Sequence, residues 1–238
     1  MNPELSLIIP AYNESKNLPL LLERAASSLG KSGVELIIVD NGSRDATPAI
    51  LEQLLPNFPF ARSVKVDVNQ RYGHGILTGL RAASAKYLAW THADMQTDPG
   101  DALRGLEIFR AASKPEEMFV KGRRFGRPAG DRFFTAGMSV FETILLGRRM
   151  SDINAQPTMF PRKFFETWRN PPRDFSLDLF AYYMAASRGF QIERFPVRFG
   201  ERAHGVSHWN VNWRAKVRFI RRTAEYSFRL RRELKGAQ

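Results

Sequence analysis

Four short apolar runs, Leu5–Ile9, Val34–Val39, Ser63–Val68 and Tyr87–Thr91, recur along the first part of the chain with helical stretches between them. In the first stretch Leu18, Leu21, Leu22, Ala25, Ala26 and Leu29 repeat at helical spacing. Gly30 and Gly33 end it, and Ser15 is placed to cap it. Thr47-Pro48 opens the second helix, since proline is tolerated in a first turn. Ile76–Ala85 forms the third, flanked by Gly73, Gly75 and Gly79. Strands alternating with amphipathic helices predict parallel pairing through right-handed crossovers, which is an α/β fold with a mainly parallel sheet flanked by helices. Further along, the pattern predicts a strand over Glu117–Lys121 and a strongly apolar helix over Phe133–Leu146. Two more strands follow, Gln156–Phe160 and Gln191–Val197, with the helix Leu177–Ser187 between them and Gly189 as its stop.

A chain of 238 residues, 43% of them hydrophobic, is long enough to bury a sizeable core. No internal repeat or low-complexity linker divides it, and the core is expected to close near Phe199. This predicts one domain over 1–209 and a tail over 210–238 that belongs to it. With no cysteine, any metal must be held by oxygen or imidazole, and a reducing cytoplasmic setting is compatible. Met1-Asn2-Pro3-Glu4 runs straight into the first strand without the basic and long apolar regions of a signal peptide. Phe133–Leu146 is interrupted by Glu142 and is too short to cross a bilayer. The net charge of +12 is concentrated at the end, where residues 210–238 carry nine Lys/Arg against Glu225 and Glu233. A polyanion, either nucleic acid or an anionic membrane surface, is the expected partner of that end.

The strand ends carry the chemistry. Glu14 follows the first strand, Asp40 the second and Asp94 the fourth, and in a parallel sheet these ends meet at one edge, where open α/β sheets bind ligands. After Trp90, His92, Asp94 and Gln96 occupy every second position. If the segment stays extended, an imidazole, a carboxylate and an amide project from one side and suit a divalent cation; the other reading is a loop of polar residues. Asp40 fits a group that accepts hydrogen bonds from a nucleotide base or ribose. Neither a P-loop nor the Gly-x-Gly-x-x-Gly fingerprint follows the first strand, so phosphate must be held another way. Gly73-His74-Gly75 either offers backbone N–H groups to an anion or makes a turn that needs small residues.

Leu7–Glu14, Ile37–Asp45, Gly73-His74-Gly75 with Gly79, and Ala93–Gln96 together resemble the inverting family 2 glycosyltransferases of GT-A fold. Within that family they look like the dolichol-phosphate mannose synthases and the bacterial polyprenyl-phosphate sugar transferases. Gly122–Phe125, Ser151-Asp152, Phe160–Arg162 and Phe199–Ser207 extend the likeness over roughly residues 5 to 210. The resemblance implies a nucleotide-sugar donor bound by Pro10, Tyr12, Glu14 and Asp40, and Mn²⁺ or Mg²⁺ on Asp94 and Gln96. It also implies basic residues at Arg124, Arg132 and Arg202 for phosphate, with Arg123 as the register alternative to Arg124. Three departures stand out. His92 replaces the first Asp of an Asp-x-Asp pair, which favours Mn²⁺ over Mg²⁺ if it coordinates. His208, after Ser207, stands where a Lys is usual, and Asn154–Pro157 replaces a different turn.

The implied reaction transfers a sugar to a polyprenyl phosphate with inversion. A phosphate's second pKa lies near 6, so such an acceptor needs no base, and catalysis rests on positioning and on metal stabilisation of the leaving diphosphate. Asp152 is the base candidate for a hydroxyl acceptor and otherwise an arginine partner. From Trp213 the tail sets Trp213, Val217, Ile220, Ala224 and Phe228 on one stripe and arginines on another, an amphipathic basic helix. Each Lys/Arg near anionic lipid contributes on the order of 1 kcal/mol. The expectation is an enzyme peripheral to the cytoplasmic face of a membrane, able to form oligomers; Phe133, Phe134, Phe141, Ile144, Leu145 and Leu146 are expected to pack in the core, the alternative being a second membrane-facing element. The rival readings are a glycosyltransferase with a hydroxyl acceptor and a non-catalytic nucleotide or nucleic-acid module. Nucleic acid is not expected, because no recognisable motif for it is present.

Overall fold

A computed structural model describes residues 3–30, 32–204 and 213–235. Seven strands, β1 (Leu5–Ala11), β2 (Val34–Asn41), β3 (Ala61–Val66), β4 (Tyr87–Trp90), β5 (Met118–Phe125), β6 (Thr158–Pro161) and β7 (Gln191–Arg198), form one sheet in the order β3-β2-β1-β4-β6-β5-β7. Strands β1 to β4 pair in parallel, as does β5 with β7, while β6 runs antiparallel between β4 and β5. The sheet is therefore mainly parallel. The carboxyl ends of β1, β2, β4, β5 and β7 all reach the same edge.

The helices are α1 (Leu18–Leu29), α2 (Thr47–Leu54), α3 (Tyr72–Ala82), α4 (Asp101–Ala111), α5 (Ala129–Leu146), α6 (Arg162–Glu166), α7 (Ser176–Ser187) and α8 (Trp213–Lys235). Because alternate strand residues point to opposite faces, the central strands bury both sides. Ile8, Ile37, Val39, Leu88, Trp90 and Phe119 pack under α3 and α7. Leu5, Leu7, Ile9, Leu36, Ile38 and Ala89 pack under α1 and α4.

Several expectations change. Ser15 does not cap α1; its backbone N–H donates to Asp45, and α1 starts from Asn17 without a side-chain cap. Helix α3 begins at Tyr72, so Gly73, Gly75 and Gly79 lie inside it. A Cβ at Gly79 would sit 2.4 Å from Ile8 Cγ2 and 2.9 Å from Val39 Cγ2, so the missing side chain lets α3 close on β1 and β2. Helix α4 was not foreseen. Ala102, Leu106 and Phe109 do repeat at helical spacing, but Gly105 and four charged residues dilute the signal. Gly105 is there because its Cβ would meet Met159 Sδ at 2.1 Å.

The largest difference is α5. Leu145 and Leu146 are buried as expected, but Phe133 is 84% exposed, Ile144 77% and Val140 58%. The face turned inward carries Ser139 and Glu142 instead. Phe141 is half-buried against Phe228 of α8, with ring centroids 6.3 Å apart. On α8 the inward residues are Tyr226, Ser227 and Leu230, whereas Ile220 and Ala224 are half-buried and Phe228 is half-exposed. Among the described residues no helix is long and apolar enough to cross a membrane.

Candidate active site

The order β2-β1-β4 places three strand ends side by side at the point where the strand order reverses. Asp40, next to last in β2, is buried and accepts the Ser43 N–H at 3.0 Å. The loops after β1 and β2 are laced together: Asn13 N–H donates to Ser43 Oγ at 3.0 Å, Arg44 N–H to Asn13 Oδ1 at 2.8 Å, and Glu14 N–H to Thr47 Oγ1 at 2.9 Å. Asn13 adopts a left-handed backbone with φ 57° to make this turn. These five residues fix the approach to Pro10, Tyr12 and Asp40, with Pro10 half-buried and Tyr12 exposed. Asn13 and Ser43 had no assigned role in the sequence; only their place in polar strand-end turns marks them.

Glu14 receives a hydrogen bond from Asn17 Nδ2 at 2.5 Å. Burial raises its carboxyl above the ordinary value, the Asn17 bond opposes that, and nearby Asp94 adds to the rise. The charges of Glu14 and Asp94, on the loops after β1 and β4, thus act on one another.

Strand β4 stops at Trp90, and residues 91–97 form a bent loop with Met95 at φ 61°. The extended alternation of His92, Asp94 and Gln96 is therefore lost. Asp94 is 5% exposed, pairs with Arg202 at 2.9 Å, and accepts the Gln96 N–H at 3.1 Å. Gln96 turns its amide nitrogen to Gly200 O at 3.1 Å, and Gly200 N–H returns a bond to Gln96 O at 2.8 Å. Half-buried His92 packs its ring on Tyr72 with centroids 5.5 Å apart. Burial pushes its imidazole below the ordinary value, against the upward pull of Asp94 and Asp178, which leaves a neutral ring with a lone pair.

Among the described residues no three His, Asp or Glu gather into a metal cage. A hard divalent ion can be bound by as few as one or two carboxylates together with substrate phosphates. Asp94, with Glu14 close to it, meets that description, and Arg202 neutralises Asp94 meanwhile.

A second cluster surrounds Asp152, itself at φ 46°. Arg124 donates to it from its backbone N–H at 2.9 Å and from Nε at 2.9 Å. Arg127 approaches at 3.5 Å and Arg194 at 3.9 Å, and all four side chains are nearly buried. Burial alone would raise the Asp152 carboxyl, but Arg124 and Arg127 outweigh it and hold it below the ordinary range. Such a carboxylate is a poor proton acceptor. Ser139 Oγ of α5 accepts the Asp152 N–H at 3.1 Å, so α5 helps to set the cluster. Strand register decides between the two arginines: Arg124 turns to Asp152, while Arg123 is exposed on the other side. Arg132, in the first turn of α5, is exposed and apart from Asp152. Arg127 and Arg194 were not singled out in the sequence, and nothing short of the β5–β7 pairing marks Arg194. Ser207 and His208 lie outside the described residues.

Gly73-His74-Gly75 makes no anion nest. The His74 N–H donates to Arg173 O at 2.9 Å, a Cβ at Gly73 would meet the backbone of Arg173 and Asp174, and one at Gly75 would crowd Asn41 and Pro10. Close approach is the role of both glycines.

Beneath the site Asp178, on α7, accepts Trp90 Nε1 at 3.2 Å and Gln156 Nε2 at 2.6 Å. Lys121 is wholly buried 3.9 Å from Asp178 and donates to Ala155 O at 2.6 Å and Thr158 Oγ1 at 2.5 Å. Burial lowers this lysine to about 7 despite Asp178. The sequence offered no signal for this pair beyond a charged residue in an apolar strand.

Comparison with solved structures fits this architecture. A mannosyltransferase from Pyrobaculum calidifontis, in complex with GDP-Man and Mn²⁺, superposes with a TM-score of 0.63 at 20% identity, covering 86% of this chain and 58% of that one. Glucosyl-3-phosphoglycerate synthase from Mycobacterium tuberculosis, with Mn²⁺, UDP and phosphoglyceric acid, gives 0.67 at 18% identity over 86% and 72%. The fold is GT-A. Among curated proteins, an undecaprenyl-phosphate 4-deoxy-4-formamido-L-arabinose transferase of Yersinia enterocolitica is 34% identical over 44% of this chain and 33% of its own length. A dolichyl-phosphate beta-glucosyltransferase of Dictyostelium discoideum is 31% identical over 52% and 40%. The matched region thus spans less than half the length of either relative. The family model described as Glycosyl transferase family 2 matches residues 6–168, a stretch holding Asp40, Asp94, Arg124 and Asp152, and the chain belongs to that family.

Proposed function

We propose that the protein transfers a sugar from a nucleotide-sugar donor to a polyprenyl phosphate, inverting the anomeric carbon. The observation that carries this reading is the state of Asp152. The one carboxylate the sequence offers as a base is ringed by three arginines, and Arg124 and Arg127 hold it below its ordinary range. A hydroxyl acceptor needs a proton acceptor, whereas a phosphate arrives already ionised near neutral pH. The relatives named as polyprenyl-phosphate transferases support the same acceptor.

Pro10, Tyr12, Glu14 and Asp40 take the nucleoside, with the laced loops holding them in place. Mn²⁺ or Mg²⁺ would be held by Asp94, with His92 and Gln96 beside it, and would supply neutralisation of the charge that develops on the departing diphosphate. Arg202 orients Asp94 and lies within reach of the same phosphates. Arg124, oriented by Asp152, receives the acceptor phosphate together with the exposed Arg123 and Arg132, and Ser207 and His208 keep the phosphate role that the family resemblance implies. No proton need move.

We place the enzyme peripherally on the cytoplasmic face of a membrane. The exposed face of α5, with Phe133, Val140 and Ile144, together with the exposed Arg221, Arg222, Arg229, Arg231 and Arg232 of α8, supports contact with anionic lipid. The test is transfer of radiolabel from nucleotide sugars, with Mn²⁺, into organic-extractable lipid in the presence of polyprenyl phosphate. Label appearing only in a water-soluble or hydroxyl-linked product refutes the acceptor, and no transfer by folded protein from any common donor refutes the reading.

A further inference from the structure

Phe175 stands at the amino end of α7, 49% exposed. It is not a loose surface ring. Its ring stacks on Tyr72 with centroids 4.6 Å apart and planes at 11°, and Tyr72 in turn packs on His92 at 5.5 Å. The three rings form a ladder from the metal end of the site to the surface. Each rung is fixed from outside. The Tyr72 hydroxyl lies 3.5 Å from Gln156 Nε2, which is bonded to Asp178. Gly73 lets the backbone of Arg173 and Asp174 close on α3, and the His74 N–H holds Arg173 O at 2.9 Å. Asp174 Oδ1 accepts the Ser176 N–H at 3.0 Å and so shapes the turn that presents Phe175.

We infer that Phe175 is the platform on which the donor's sugar ring stacks, a specificity-determining contact, and this rests on the nucleotide-sugar reading above. The sugar is bonded directly to the diphosphate, so it must lie next to the group held at Asp94, and the ladder begins at His92 two residues away. A pyranose has an apolar C–H face that suits an aromatic ring and hydroxyl groups at its edge. Arg173 and Asp174 immediately precede Phe175, Arg173 meeting Gln70 at 3.4 Å and Asp174 the Ser176 N–H, and their remaining donors and acceptors suit such hydroxyls, whereas an isoprenoid chain gains nothing from them. The other exposed apolar surface described above, on α5, lacks such polar neighbours at its centre.

Isothermal titration of the full chain with Mn²⁺ against GDP, GDP-mannose, UDP and UDP-glucose tests this. Phe175→Ala and Phe175→Leu are expected to weaken the bound nucleotide sugar about three- to tenfold, leaving the matching diphosphate within about twofold. Phe175→Tyr and Phe175→Trp are expected to restore it, because they keep the aromatic face. Equal loss for sugar and diphosphate, no loss, or full affinity in Phe175→Leu overturns the platform. So does a raised KM for polyprenyl phosphate with donor binding unchanged, which assigns the ring to the lipid. Wild-type protein that binds the diphosphates but neither nucleotide sugar also refutes the platform, whereas binding none of the four refutes the donor reading itself.

Discussion

Replacing Glu142 with Gln should stabilise the protein at neutral pH and leave it unchanged in mild acid. Glu142 lies on the inward face of α5 with no exposed surface; its Oε1 meets Ser227 Oγ of α8 at 2.8 Å, and its Oε2 has no partner. Ser227 has one proton and also meets Thr223 O at 2.8 Å. Ser227 Oγ thus has two acceptors, Glu142 Oε1 and Thr223 O, for its one proton, which leaves Glu142 poorly satisfied as a carboxylate. Burial accordingly raises this carboxyl from 4.5 to about 7, with the Ser227 bond opposing the rise. The sign follows: between those two values the folded chain holds a proton that the unfolded chain has released, so stability falls as pH rises through that window and is flat beyond it. The full gap corresponds to about 3 kcal/mol, an upper bound that any water reaching the α5–α8 seam reduces. Glu142→Gln keeps the shape and a donor for Ser227 while removing the charge. Urea denaturation at pH 5, 6, 7 and 8 should show the variant's advantage growing from near zero to about 1–3 kcal/mol, with slower amide exchange in α8 at the upper end. An advantage that is constant across pH, or absent at pH 8, would show that Glu142 is ionised in the folded protein and refute the reasoning.

Lys121 gives the opposite slope: its folded value of about 7 lies below the unfolded 10.5, so its contribution to stability should rise with pH above 7, by up to about 1.4 kcal/mol per unit. Lys121→Met should abolish that rise in denaturation series from pH 7 to 9.5, whatever its offset from leaving Asp178 alone. Asp152→Asn removes the countercharge of Arg124, Arg127 and Arg194 and should lower stability by about 3 kcal/mol in urea. Transfer to a phosphate acceptor should fall only in part, and complete loss in protein verified as folded would instead mark Asp152 as a base. Gly122→Ala places a Cβ 2.1 Å from the Gln156 carbonyl oxygen, a backbone atom unable to yield, and should cost about 3 kcal/mol in a thermal melt; an unchanged melt would contradict the tight β5 packing.

The parallel half of the sheet was legible because β1, β2 and β4 are buried on both faces and read as continuous apolar runs between amphipathic helices. Their parallel direction was legible too, and it placed Glu14, Asp40 and Asp94 at one edge, while the strand order came only with the fold. What failed were inferences that need backbone geometry beyond a strand's end. Met95 in the left-handed region breaks the alternation on which the projection of His92, Asp94 and Gln96 relied. Helix α5 misled for a different reason: apolarity measures what water disfavours, and does not state whether a protein core or another apolar phase receives it. The Asp152 cluster was half visible, since Arg124 and Asp152 stand in quoted motifs, whereas Arg194 comes from a distant strand whose pairing only the fold supplies.

Asp152 makes the second cluster a shared resource. One carboxylate is held by a strand arginine from β5, a loop arginine ahead of α5 and an arginine from β7, with its own amide tied to α5. Changing any one of these arginines redistributes the negative charge among the other two, so substitutions there will not act independently, and their effects will fail to add. Arg123, exposed on the other side of β5, stands outside the shared charge and can be altered alone, whereas Arg132 acts on Arg127 through its charge and stays coupled to the cluster.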